Sequence, residues 1–392
     1  MKTKTFICGN LLAVAVLTTI AGLNPAAAQN FIFSSSPTVG LGPYAVAAAD
    51  LRGTGKLDLA TANYTDGTVT VLTNNGSGLF GFNATYSVGS GPSALTTADV
   101  NGDHKQDLIV ANANDSTVTV LTNDGSGNFG FNATYNVGVS PFHVEAVDVY
   151  GNGNLALVTC NLGDNTVTVL TNSGGIFSSN ATYSVGNGPI FFTVGDVNSD
   201  GKKDLIVANL SDSTLTVLTN NGSGGFGFNA VYGVGEYPEC VAAADMNGDG
   251  KVDLITANYG STGDGNTLTV LTNAGDGTFA SWGVVTVGSG PVYVTAADVN
   301  GDGTPDLISG NCGSDSFGNT LTVLLSMPAL GLKIPNAGTA LVSWSPAWPG
   351  YVLQGRTNLS AGSWINVNNP TGTNRITISP ATGNNFFRLR HP

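Results

Sequence analysis

The 392 residues carry 26 acids against 13 Lys and Arg, a formal charge of −13, with only 10% of the chain charged. That balance excludes a nucleic-acid binder, because phosphate contacts need clustered Lys and Arg. Four cysteines, one of them Cys8 near the start, leave an odd and sparse set that excludes a disulfide framework.

Taken in chain order, Lys2 and Lys4 precede an apolar run from Leu11 to Leu23, and Ala26-Ala27-Ala28 offers a small-residue cleavage site before Gln29. Residues 1–28 are therefore expected to be a Sec-type signal peptide, and the remaining chain to be secreted and extracellular. The run falls short of the ~20 residues a spanning helix needs. No second run follows, so no membrane span is expected.

From residue 31 onward the sequence repeats. An aspartate opens a glycine-rich phrase at Asp50, Asp99, Asp148, Asp196, Asp245 and Asp298, at intervals of 48 to 53 residues, and a proline stands seven residues before each. A fixed period close to 50 is checked before fold class, because it decides it. Each unit holds four short strand candidates. In the second repeat they are Ala94–Val100, Leu108–Ala113, Thr117–Thr122 and Ala133–Val137. The third alternates Thr and Val, the pattern of a strand with one buried face, and Asn-Asp-Gly-Ser-Gly after it is hairpin chemistry. Four strands per unit predict an all-β chain folded as a six-bladed β-propeller, with a seven-bladed ring as the alternative. The sixth repeat stops after its third strand, Thr320–Leu325. Phe31-Ile-Phe33 through Gly42-Pro43 lines up with Phe80-Gly-Phe82 through Gly91-Pro92. An N-terminal strand is thus expected to complete the last blade and remove an open edge.

The phrases opened by aspartate carry the chemistry. In four of them, positions 1, 3, 5 and 9 have oxygen side chains and position 7 can offer a backbone carbonyl. These are Asp99, Asn101, Asp103, Lys105 and Asp107; Asp196, Asn198, Asp200, Lys202 and Asp204; Asp245, Asn247, Asp249, Lys251 and Asp253; and Asp298, Asn300, Asp302, Thr304 and Asp306. A hard divalent cation taking six to eight oxygens suits that set, Ca²⁺ before Mg²⁺. Gly248 and Gly250 allow the positive φ that turns alternate side chains inward. Thr256 stands where an EF-hand needs a bidentate Glu, so this is another kind of loop. Two repeats have lost the set. Arg52 in the first is expected to replace the cation by pairing with Asp50 and Asp58, and the third, from Asp148 to Ala156, keeps too few carboxylates. About four Ca²⁺ ions are expected, in a structural role.

At this point the chain resembles a known family. Asp-x-Asn-x-Asp-Gly-x-x-Asp-Leu loops alternate with Phe80-Gly81, Phe129-Gly130, Phe226-Gly227 and Gly89-Ser-Gly-Pro92, and together these resemble FG-GAP/VCBS repeats, as in the integrin α-subunit propeller. The resemblance covers residues 31–326. It implies a propeller, assigned here to residues 29–327, with Ca²⁺ loops between the first and second strands on one face and ligands usually met on the opposite face.

Residues 328–392 change character. Alternating strands are expected at Ala340–Trp344, Tyr351–Gln354, Trp364–Val367, Arg375–Ile378 and Phe386–Leu389, around Trp344, Trp348 and Trp364. The expectation is a small β-sandwich, similar to fibronectin type III-like modules.

Two positions per repeat depart from pattern. Two residues after the marker proline stand Ala45, Ala94, His143, Phe191, Cys240 and Tyr293. Four residues after it stand Ala47, Thr96, Glu145, Thr193, Ala242 and Thr295. The residue between them is always apolar and is assigned to the space between blades, so the two variable rows are expected to face a central channel. His143, Glu145, Phe191 and Tyr293 are the candidate ligand-binding residues. His104 and His391 show no partner in the sequence. Cys160 and Cys240 take positions held by Ala elsewhere and read as small buried side chains. With no Ser–His–Asp motif or phosphate loop, the leading expectation is a monomeric, non-catalytic binding or adhesion scaffold for an extracellular protein or carbohydrate surface. The alternative is a polysaccharide lyase or hydrolase with its site in the channel.

Overall fold

A computed structural model describes residues 36–301, 303–313 and 320–326, and six strands of the C-terminal part. The signal peptide, the strand expected around Phe31, Asp302, His391 and the three C-terminal tryptophans lie outside the described residues. The described residues form strands and no helix.

Six antiparallel sheets follow one another, each built from strands in sequence order. Their first strands begin at the marker prolines: Pro43–Ala49, Pro92–Ala98, Pro141–Val147, Pro189–Gly195, Pro238–Ala244 and Pro291–Ala297. The proline has no N–H to give a ladder and is tolerated at a strand's first residue. In every sheet the pairing register skips the residue after it, as where Pro92 faces Asn112 and Ala94 faces Ala111. The second strands, such as Asp107–Asn112, lie wholly inside the sheets, and the third strands repeat Thr-Val or Thr-Leu alternation. The fourth strands form the outer edge of the first five sheets. The sixth sheet has three described strands and ends with Thr320–Leu324.

The outer strand of the second sheet runs Phe129–Asn136 and starts four residues before the expected Ala133. Phe-Gly-Phe looks like a turn in sequence, yet an edge strand tolerates the glycine. A bulge at Asn132 keeps the ladder in register, Val120 facing Ala133 and Leu121 facing Phe131. The other strands of that repeat shift by one or two residues.

Packing between sheets forms five apolar cores, one for each consecutive pair. Leu95, Val144, Phe192, Val241 and Val294, the apolar row three residues after the proline, are buried in them, as alternation predicts. Polar ties add to the packing. Asn123, Asn172, Asn220 and Asn273 each donate a side-chain N–H to a backbone carbonyl in the preceding sheet's loop, at Leu51, Val100, Val149 and Val197.

First strands of neighbouring sheets pack on one another in order. Two contacts skip a sheet: Tyr44 of the first meets Phe142 of the third at 5.8 Å, and Phe191 of the fourth meets Tyr293 of the sixth at 6.4 Å. Rings of next-but-one sheets touch only when the strands carrying them curve about a common centre.

Beyond residue 330, two three-stranded antiparallel sheets are described. One joins Gly331–Asn336, Thr339–Ser343 and Arg375–Ile378; the other joins Ile365–Asn366, Val352–Arg356 and Phe386–Arg390. Gly331–Asn336 is a strand that the sequence pattern did not mark.

Candidate functional site

The acidic loops join first to second strands, all at the end of the sheets away from the prolines. Their conformation follows from the sequence: Gly248 and Gly250 hold φ of 74° and 84°, and the leading aspartate caps the turn. In the fifth sheet Asp245 accepts backbone N–H bonds from Gly248 and Gly250 at 2.7 and 2.8 Å, and Asn247 accepts one from Asp249 at 2.9 Å. Asp253, at position 9, accepts from Met246 and Asn273, each at 2.9 Å. Asp99 to Asp107 and Asp196 to Asp204 repeat the arrangement. In the sixth loop Asp298 and Asp306 do the same, while Asp302 lies outside the described residues.

Electrostatically, the buried position-9 acids of these loops pair with no Lys or Arg among the described residues. Asp107, Asp204 and Asp253 have no accessible surface. Burial pushes each carboxyl above its ordinary range, and the two other acids of the same loop push it further. The position-7 lysines pair with the more exposed position-5 acids, Lys105 3.3 Å from Asp103 and Lys202 3.5 Å from Asp200, and Lys202 and Lys251 also donate to the Asn221 and Ala274 carbonyls. Among the described residues no three carboxylate, imidazole or thiol groups converge into a ready cage. The chemistry of the donor set still fits a hard cation, since a buried carboxylate with like charges beside it calls for one.

In the first loop a guanidinium meets the buried acid. Arg52 sends Nε and Nη2 to Asp58 at 2.9 and 2.8 Å, and Nη2 also donates to the Asn74 carbonyl. Asp50 instead accepts backbone N–H bonds from Thr54 and Gly55. The expected pairing of Arg52 is thus right for Asp58 and corrected for Asp50, whose oxygens the turn already engages. In the third loop Ala156 replaces the buried acid. Burial raises Asp148, but backbone N–H bonds led by Gly153 outweigh it and hold the carboxyl below its usual range. Asp148 is satisfied locally. His104, read as partnerless, stands 3.8 Å from Asp99 on a fully solvated side chain.

At the centre of the curved first strands the four off-pattern residues come together. His143 Nε2 lies 3.2 Å from Glu145 Oε1, and the imidazole stacks on Phe191 with centroids 4.3 Å apart. Phe191 in turn meets Tyr293 edge-on. Burial pushes the Tyr293 hydroxyl to about 12, with Cys240 and Glu145 adding to it. Cys160 and Cys240 are buried thiols raised by burial first. Glu145 keeps 38% of its side chain exposed, so water reaches this centre.

One titratable residue escaped the sequence reading. Glu239 directly follows its marker proline, and burial pushes its carboxyl up to about 7. Strand alternation assigns that row to the space between sheets, but the register skip after each proline turns it toward the centre, as the Tyr44–Phe142 contact shows. The available signal was composition: Glu239 is the only charge in a column otherwise made of Tyr44, Ser93, Phe142, Ile190 and Val292.

Among the described residues no helix is long and apolar enough to cross a membrane. No curated protein matches the chain. Among solved structures, a candidate 6-phosphogluconolactonase from Bacteroides uniformis ATCC 8492 is similar at a TM-score of 0.54 and 12% identity over 90% of each chain. Another from Bacteroides fragilis NCTC 9343 gives 0.54 at 14% identity, over 90% of this chain and 89% of its own. A lectin of Agrocybe aegerita that recognises non-reducing terminal N-acetylglucosamine is 21% identical over 88% of this chain and 84% of its own, at 0.47. At such identities the likeness is one of fold. The FG-GAP-like repeat matches residues 50–110, 99–159, 196–256 and 245–309. With more than half of its length matched in four registers, the chain belongs to the FG-GAP-like repeat family.

Proposed function

We propose that the chain is an exported, calcium-stabilised six-bladed propeller, closed by its own N-terminal strand, that serves as a non-catalytic binding scaffold for an extracellular protein or carbohydrate. About four Ca²⁺ ions would be held by the loops opening at Asp99, Asp196, Asp245 and Asp298. When bound, the ion supplies the charge that the buried position-9 carboxylates lack. It adds stability because it binds only the folded loop. Arg52 carries this reading: where the oxygen set is broken, a guanidinium takes up the buried carboxylate instead.

The binding part rests on where the acids lie. Most are committed to the loops, and the three inner rows hold only Glu145 and Glu239 beside aromatic rings and His143. Phe191 and Tyr293 offer apolar faces, and His143 with Glu145 offers a polar pair, a combination suited to a sugar ring or a flat side chain. Screening a glycan and matrix-protein array with and without Ca²⁺, with Phe191→Ala and His143→Ala alongside, tests this. A ligand whose capture ignores both substitutions would place binding elsewhere.

One observation favours a catalytic second reading. A carboxylate-held imidazole such as His143–Glu145 is a general-base arrangement, and two fold relatives are candidate 6-phosphogluconolactonases. The inner rows contain no Lys or Arg to hold a phosphate, which weighs against that substrate. Turnover of lactones or polysaccharides that vanishes in His143→Ala would establish catalysis.

A further inference from the structure

Charge is sorted between the two ends of the sheets. The Lys and Arg of residues 36–326 are Arg52, Lys56, Lys105, Lys202, Lys203 and Lys251, and all lie in the loops between first and second strands. The proline end carries Asp66, Asp115, Asp164, Asp212, Glu236 and Asp264, all exposed, with no Lys or Arg among the described residues. Four of these acids hold the chain entering their sheet, accepting the backbone N–H of Leu41, Ser90, Val139 and Asn187. An end that bears one sign of charge draws the opposite sign toward it.

The centre at that end has the same bias. Its inner rows hold Glu239 and Glu145 and no Lys or Arg. Glu239 is half-buried in a row shared with Tyr44, Phe142, Ile190 and Val292, and its carboxylate has no hydrogen-bond or ion-pair partner among the described residues. Glu145 meets His143 through Oε1 alone. The two acids act on one small volume: burial raises the Cys240 thiol and both carboxylates add to it, while Glu145 also adds to the rise of the Tyr293 hydroxyl. Rings stand around this volume, with Phe191 edge-on to Tyr293 and Tyr44 edge-on to Phe142. A half-buried carboxylate without a partner is costly, and a cation beside it removes that cost. Aromatic faces next to the acids suit an organic cation better than a metal ion, whose shell is all oxygen.

We infer that the ligand of this centre carries an organic ammonium group, seated against Glu239 with the Phe191 and Tyr293 rings on its alkyl or aryl part. The inference rests on the binding-scaffold reading and adds the sign of the ligand's charge and the residue that selects it.

The test titrates the full chain by calorimetry with choline and with benzylammonium. Each is compared with a neutral isostere, carbon replacing choline's nitrogen and a hydroxyl replacing the amine of benzylamine. The titrations are run at pH 8, above the value of about 7 to which burial pushes Glu239. Each ammonium should bind at least about tenfold more tightly than its isostere. Glu239→Gln, which keeps the size of the side chain, should bring the ammonium down to the level of the isostere. Phe191→Ala should weaken both, and Asp66→Asn, at an exposed acid of the same end, should change neither. Equal affinity for charged and neutral probes would overturn the inference and leave the scaffold reading standing, as would a neutral sugar captured through Phe191 and His143 on the array. Ammonium binding that survives Glu239→Gln and is lost in salt would assign it to the exposed acids and overturn the central site. Capture of no probe and no array ligand would overturn the inference and the scaffold reading together.

Discussion

Asp253 accepts two backbone N–H bonds at no accessible surface, with Asp249 and Asp245 close enough to raise it beyond what burial does. Asp148 opens a loop that lacks the buried acid and is satisfied by its own turn. Replacing Asp253 by Asn should cost one bound ion per chain by elemental analysis and lower Tm in Ca²⁺. In excess chelator the same variant should be at least as stable as the parent, because a buried like charge has been removed. Asp148→Asn should leave the ion count unchanged. Equal ion loss in both would return the third loop to the metal-binding set. Glu239 makes a separate case. Its folded value near 7 lies above the ordinary 4.5, so the folded state holds the proton more tightly and stability is greatest in acid. As pH rises from about 4.5 to 7 that advantage is lost, at most about 3 kcal/mol for one such shift, and less to the extent that water reaches the half-buried carboxyl. Glu239→Gln should flatten the fall: its Tm should match the parent near pH 4.5 and exceed it at pH 8. Parallel Tm curves across that range would mean the carboxyl is hydrated.

At the scale of the hairpin, the loops do more than join two strands. Asn273 donates to Val197 in the preceding loop, and its own N–H reaches Asp253, so one turn binds the acid, the third strand and the neighbouring sheet together. In the first sheet this work falls to Arg52, whose side chain is 26% exposed against none for Asp58. Arg52→Ala leaves Asp58 buried with the Asn74 N–H but no counter-charge and should cost about 2–3 kcal/mol, below the range for a fully buried pair because water can enter. The loss should be the same with and without Ca²⁺, which separates it from the metal loops in a pair of thermal melts. The loop as a strand-to-strand turn was legible in sequence, since a leading Asp and alternating glycines recur at a fixed period. The start of the fourth strand was hidden by Phe-Gly-Phe, where edge position and a bulge override local turn signals. The inward row at Glu239 was hidden because a one-residue register skip is a property of pairing, and no residue type announces it. His143 and Glu145 were legible as a pair because two residues apart on one strand lie on one face; that Phe191 and Tyr293 join them required the curvature of the whole array.

For the whole molecule the balance is between many small inter-sheet cores and a set of loops that repel themselves without counter-ions. Each core joins only neighbouring sheets, as in repeat proteins, where stability is close to a sum of local terms. On the proposed calcium reading, ions that bind only the folded form would act at four places along the array. A site held at a hundred times its dissociation constant contributes about 2.7 kcal/mol, so four together contribute on the order of 11 kcal/mol. At about 2 °C per kcal/mol for a domain of this size, removing them should lower Tm by on the order of 20 °C. Magnesium should restore little of it, because that smaller ion demands a tighter octahedral set. Melts in Ca²⁺, in Mg²⁺ and in excess chelator decide the matter. An unchanged midpoint in chelator would mean that Asp107, Asp204 and Asp253 are neutralised by protons and backbone N–H bonds alone. A drop the size of one site would mean that the loops differ in more than their sequence does, and the individual Asp→Asn variants would then say which loop holds the ion.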